Sequence, residues 1–186
     1  MKRKMKSIAM IFMGLSLFMT SCEKDDEPTP PSTNEEELIT TVKLKVTQIG
    51  TTDTSVVIWK DIDGIGGNLP SIDTIKLSAN KTYDVEVEFL DESKNPAEDI
   101  TEEIKEEDDE HEVFYVKSKN LPLVIYTTDV DAAQRPLGLE SNWITTKATT
   151  GSVQVVLKHK PGIKDSNDDV NKGETDIEVV FPLKVQ

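Results

Sequence analysis

The chain has 186 residues, with 35 acidic and 21 basic side chains and a formal charge of −14. A field this negative repels phosphate backbones, which argues against nucleic-acid binding. The single Cys excludes an internal disulfide and a cysteine-cluster metal site, and two His residues exclude a multi-histidine zinc cage.

Residues 1–21 divide into three parts. Lys2, Arg3, Lys4 and Lys6 make a positive start, Ile8 to Met19 an apolar run, and Thr20-Ser21 a pair of small residues before Cys22. An apolar helix over those 12 residues rises about 18 Å, short of the roughly 30 Å hydrocarbon core. The segment therefore reads as a secretory signal and not as a membrane span. Met19-Thr20-Ser21-Cys22 resembles the lipobox of bacterial lipoproteins, with Met19 where Leu is usual. That resemblance implies cleavage before Cys22 and acylation of its thiol and new amino terminus. Acyl chains anchor a domain because each buried methylene contributes about 0.8 kcal/mol. Without the leader's four basic residues, 17 basic side chains face 35 acidic ones, a formal charge of −18.

Residues 22–37 carry three Pro and many charges with no apolar periodicity, the composition of an extended, disordered tether. The run Lys24-Asp25-Asp26 resembles the surface-export signal of Bacteroidota lipoproteins. The resemblance implies display on the outer face of the outer membrane.

Residues 38–186 read as one folded domain. Val42, Leu44 and Val46 alternate with Lys43 and Lys45, and Tyr83, Val85, Val87 and Phe89 with Asp84, Glu86 and Glu88. Val153, Val155 and Leu157 repeat the pattern, as do Ile177, Val179, Phe181, Leu183 and Val185. Period two of this kind marks strands buried on one face. Weaker candidates are 54–60, 72–77, 112–117 and 121–126. Pro182 cannot donate to a ladder, which puts the last strand at an edge or at a bulge. The predicted fold is all-β: an antiparallel β-sandwich, immunoglobulin-like in architecture, with an up-and-down barrel as the alternative. One acidic segment departs from the pattern. Asn95 as N-cap, Pro96 at the first helical position and Ile100 and Ile104 on one face predict a short helix ending near Glu106.

No nucleophile motif or phosphate-cradling loop is visible, so the sequence argues against an enzyme. Three other features bear on binding. His159 is in phase with the inward Val153, Val155 and Leu157, and His111 with Val113 and Tyr115. Each sits where a strand meets a loop. They read either as half-buried hydrogen-bonded rings or as ligands beside Asp108, Glu110 or Asp165, a donor set that suits zinc, copper or iron. Asp61-Ile62-Asp63-Gly64 and Asp129-Val130-Asp131 are weak acidic loops. The loop 165–176 is stronger, with side-chain oxygens at Asp165, Asn167, Asp169 and Asp176. This approaches the ligand spacing of a calcium loop but puts Val170 where Gly is needed and Asp176 where Glu is usual. A divalent cation is the one cofactor these residues imply. Trp59 and Trp143 are the aromatics left to serve as surface platforms. Asp73-Thr74-Ile75 resembles an O-glycan acceptor of exported Bacteroidota proteins.

The acidic run Glu106–Tyr115, the turn Pro136-Leu137-Gly138-Leu139, Leu157-Lys158-His159-Lys160-Pro161 and Gly173-Glu174-Thr175-Asp176 together resemble a family of uncharacterised Bacteroidota lipoproteins. The resemblance implies an outer-membrane location and no catalytic residues. Its members beside TonB-dependent transporters imply a capture or accessory role with such a transporter as partner. The expectation is a non-enzymatic, ligand- or partner-binding envelope lipoprotein, with metal capture and a structural or adhesion module as the alternatives.

Overall fold

The computed structural model describes residues 38–64, 66–167 and 169–186. Cys22 and the run Lys24-Asp25-Asp26 lie outside the described residues, as do the leader and the tether.

Among the described residues, eleven strands and one helix follow in chain order. They are β1 (Thr41–Gln48), β2 (Thr54–Lys60), β3 (Ser71–Ile72), β4 (Ile75–Leu77), β5 (Thr82–Asp91), β6 (Glu98–Asp99), α1 (Ile100–Glu106), β7 (His111–Lys117), β8 (Leu123–Thr127), β9 (Glu140–Thr145), β10 (Thr149–His159) and β11 (Glu174–Val185). Two sheets form. One has the order β3-β2-β1-β5-β9-β8, with β6 on the end of β5; the other has the order β4-β11-β10-β7. They are not closed on one another, so the fold is the sandwich and not the barrel. Every pairing is antiparallel except β4 with β11.

The alternating residues do what their period requires. Val42, Leu44 and Val46 of β1, Val85, Val87 and Phe89 of β5, Val153, Val155 and Leu157 of β10, and Val179, Phe181, Leu183 and Val185 of β11 all enter one core between the sheets. β4 pairs with β11 only from Leu183 to Val185. Up to Pro182, β11 is therefore a sheet edge, where a residue without an N–H leaves nothing unpaired. The register irregularity of this sheet lies elsewhere, between Leu157 and Lys158.

Three sequence expectations are corrected. The single strand expected over 72–77 is two strands in different sheets. Asp73 breaks it: its carboxylate accepts the Ile58 N–H at 3.0 Å while its own N–H donates to the Ile58 carbonyl at 2.9 Å. β3 is thus pinned to β2, and the chain then crosses to β11. The helix starts later than Asn95-Pro96 predicts. Glu98 and Asp99 first pair with Asp91 and Leu90 of β5. Asp99 is the N-cap, accepting the Thr101 N–H at 3.0 Å. Its end at Glu106 is as expected, and Ile100 and Ile104 are buried. The third correction concerns β9, for which alternation gave no signal. Its inward residues are Ser141, Trp143 and Thr145, so two of three are polar. They are satisfied inside: Trp143 Nε1 donates to Ser141 Oγ at 2.9 Å, and Thr145 Oγ1 donates to the Ser78 carbonyl at 2.7 Å. Trp143 is fully buried, which removes it as a surface platform, and Trp59 packs half-buried against the core.

The two faces of β11 make a direct test of this architecture. Phe181→Ala empties a fully buried site and should cost about 3–5 kcal/mol. Val180→Ala, one residue away and 46% exposed, should change stability by less than about 0.5 kcal/mol. Urea unfolding midpoints of the two variants check this. Equal losses would contradict the inward and outward assignment.

Candidate functional site

The site grows out of the pairing of β7 on β10. Val113 opposes Leu157 and Tyr115 opposes Val155, and one step further along the same stripe His111 opposes His159. The core ends there, so inward side chains at this position meet the chain rising from α1 instead of apolar neighbours. The two imidazoles stack, with centroids 4.7 Å apart and planes at 23°. They are 3% and 7% exposed. Each ring has an oxygen partner on the acidic segment: His111 Nδ1 lies 3.2 Å from the Glu107 carbonyl, and His159 Nε2 lies 3.3 Å from Glu110 Oε2. Burial pushes the His111 pKa below its ordinary value, against the opposing effect of the Glu107 carbonyl. The buried ring is thereby held neutral, with a lone pair on one nitrogen.

Glu107, which caps α1, brings its carboxylate to the same place. One ligand atom from each of Glu107, His111 and His159 lies within 4.8 Å of the others. The sequence points to Asp108, Glu110 or Asp165 as the carboxylate beside the rings. Glu110 contacts His159, but the carboxylate that completes the group is Glu107. Its spacing of four residues from His111 was a signal, hidden among the equal carboxylates of 106–110.

The loop 165–176 does not join this group among the described residues. Asp165 Oδ1 accepts the Asn167 N–H at 2.9 Å, and Oδ2 binds Lys172 Nζ at 2.8 Å. Asp169 Oδ1 accepts from the Asn171 backbone and side chain at 3.0 and 3.1 Å. These bonds hold both carboxyls below the usual carboxylate range. Asp176 has left the loop and belongs to β11. Both Asp165 oxygens and Asp169 Oδ1 are thus bonded within their own loop. The short acidic loops have similar work. Asp63 Oδ2 accepts from the Asn68 backbone at 2.9 Å. Asp129 accepts the N–H groups of Gly138 and Leu139, each at 2.9 Å.

Behind the histidines lies a set of buried charges that alternation does not foretell. Lys160 pairs with Glu112, both almost fully buried, and its ammonium lies 4.4 Å from the centre of the Phe114 ring. Lys164 Nζ lies 3.2 Å from Asp131 Oδ2, with neither side chain exposed, and also donates to the Asp108 carbonyl at 2.6 Å. Arg135 binds Asp131 through Nε at 2.7 Å and the Lys164 carbonyl through Nη1 at 2.8 Å. Burial by itself would raise the Asp131 pKa; the Arg135 amide and the Lys164 and Arg135 side chains outweigh it and hold the carboxyl below the usual range. Gly173, at φ +79°, lets the loop lie on this end. A Cβ there would sit 2.3 Å from the His159 carbonyl oxygen.

A cleft of about 580 Å³ runs along β7 from Glu112 to Lys117, with Ile125, Tyr126 and Thr127 of β8 on its other side. β7 and β8 are the edge strands of their sheets on this side of the sandwich. Val116 and Tyr126 of its lining are exposed. At the end nearer the histidines Leu137 covers the edge, accepting the Val113 N–H at 2.7 Å. No protein family, no curated protein and no solved structure matches this chain.

The depressed His111 pKa sets a direction for stability against pH. Above the ordinary value of 6.5 the ring is neutral in both folded and unfolded chains. As pH falls below that value the unfolded chain takes up the proton first, so stability falls. Unfolding free energy should therefore drop between about pH 7 and about pH 5.5, above the window in which Asp131 acts. The drop should be smaller in His111→Gln, as measured by urea titration at each pH. A flat profile for the parent, or equal slopes, would contradict a buried neutral His111.

Proposed function

We propose that this chain is a non-enzymatic envelope lipoprotein, held by Cys22 at the outer membrane and displayed on the cell surface, which binds a partner polypeptide along its edge cleft. The observation that carries the reading is the meeting of two sheet edges, β7 and β8, on one cleft. A strand edge presents backbone donors and acceptors in a row. An extended segment added there gains main-chain hydrogen bonds, and side-chain pockets supply selectivity. Exposed Val116 and Tyr126 provide apolar surface for alternate side chains. Lys117, whose ammonium is tied to the Leu123 carbonyl, bridges the two strands at the far end.

The lipobox-like Met19-Thr20-Ser21-Cys22 and the Lys24-Asp25-Asp26 run support the location. The resemblance to Bacteroidota lipoproteins that accompany TonB-dependent transporters names the partner: an extended extracellular segment of such a transporter. Fifteen residues separate the anchor from the domain; a flexible tether of that length reaches roughly 20 Å on average, enough to bring the cleft to a neighbouring protein in the membrane.

Photo-crosslinking in the native host tests this. A photoreactive residue at Tyr126 should yield an adduct containing the transporter, and one at Leu69, exposed on the β2–β3 loop, should not. In the Cys22→Ala variant the chain should move to the soluble fraction, lose its fatty-acid label and lose the Tyr126 adduct. Equal adducts from both positions, or none from Tyr126, would sink the docking reading. Membrane retention of Cys22→Ala would sink the anchor.

A further inference from the structure

We infer that Glu107, His111 and His159 form a binding site for a first-row divalent transition ion of the zinc class. Unlike the docking reading, this rests only on the β7–β10 end of the sandwich.

The donor set comes first. Two imidazole nitrogens and one carboxylate oxygen suit zinc and its neighbours, whereas calcium and magnesium take oxygen ligands. The distances come next. An ion bound at about 2.1 Å holds its ligand atoms roughly 3.4 Å apart in a tetrahedron and never more than about 4.2 Å apart. The three atoms here lie within 4.8 Å, so closing the site requires movement on the order of 1 Å. The geometry supplies a source for it. The rings are held by strand register, but Glu107 is an exposed residue at the C-cap of α1. Its long side chain swings in at small cost. The rings need only slide within their stack.

The partners of the rings are those of ligating histidines. A metal-bound imidazole normally gives its other ring N–H to a backbone carbonyl or a carboxylate, which sets the tautomer and the ring plane. His111 faces the Glu107 carbonyl and His159 faces the Glu110 carboxylate in this way. His111 Nδ1 also lies 4.0 Å from Glu107 Oε2, and an ion here takes one nitrogen of each ring. The field is also favourable. Glu107 and Glu110 of the acidic run lie beside the rings, and the nearby Lys164 ammonium is neutralised by Asp131. Among the described residues three ligands converge. A fourth position is then left for water or an outside ligand, as in zinc sites with three protein ligands.

Zinc and cobalt titrations of the full chain carrying Cys22→Ala test the site, since that substitution removes the one thiol able to compete. Calorimetry should show one zinc ion per chain, displaced by chelator. Cobalt should give visible absorption of low-coordinate type. Proton shifts on zinc addition should centre on the His111 and His159 rings. Glu107→Gln, at an exposed position that leaves the fold intact, should weaken zinc by about tenfold or more. His159→Gln should abolish the cobalt spectrum, and Asp165→Asn with Asp169→Asn should leave zinc affinity unchanged. Failure to bind zinc, unshifted histidine rings, or equal affinity in Glu107→Gln and the parent would each overturn the assignment. Loss of binding only in the Asp165/Asp169 variant would do the same.

Discussion

The register of β7 on β10 is the constraint on which this end of the molecule depends. A strand's side chains alternate between faces, so a slip of one residue would exchange the two sets completely. The core fixes the register by demanding Val113 on the inward side together with Val155 and Leu157. His111 then has no choice but to face His159. Glu112 is placed on the outer face by the same rule, where Lys160 of the following loop reaches it. One hydrophobic preference thus decides the position of the rings and of a buried ion pair.

The buried charges explain how a loop-rich end stays ordered. Moving a paired charge out of water is expensive, and removing one partner of such a pair costs about 3–5 kcal/mol. Asp131, Arg135 and Lys164 have each solvated the others with hydrogen bonds. Their reach extends to the carbonyls of Asp108 and Asp109, at 2.6 and 3.4 Å. Those contacts hold the acidic segment against the sandwich. Glu107 lies beside the rings because the residues just after it are tied down from below. Asp165 and Asp169 have the opposite character: their hydrogen bonds turn their own loop.

The strands carrying the core were legible in the sequence, because alternation is a local property and the apolar residues in it are strong. β9 was illegible for a physical reason. Its inward Ser141 and Thr145 bond to carbonyls of Val85 and Lys81, more than fifty residues away in the chain, so their burial has no local cost to read. The break between β3 and β4 was equally hidden: it depends on Asp73 finding the Ile58 N–H, a partner fifteen residues away. The helix end was readable and its start was not, since pairing with β5 decides how long Glu98 and Asp99 stay extended.

The candidate site divides along the same line. The sequence by itself determined the fold class, the inward phase of His111 and His159, and the acidic character of the segment before β7. Each follows from the order and spacing of residues along one strand or one run. Tertiary structure alone decided that the two rings stack, that the Glu107 carboxylate groups with both of them, and that Asp165 and Asp169 bond within their own loop. Those outcomes depend on which strands become neighbours and on which long-range bonds hold a loop. A linear pattern cannot distinguish one carboxylate in a run of five, because the difference between them is the direction each points once the chain around it is tied in place.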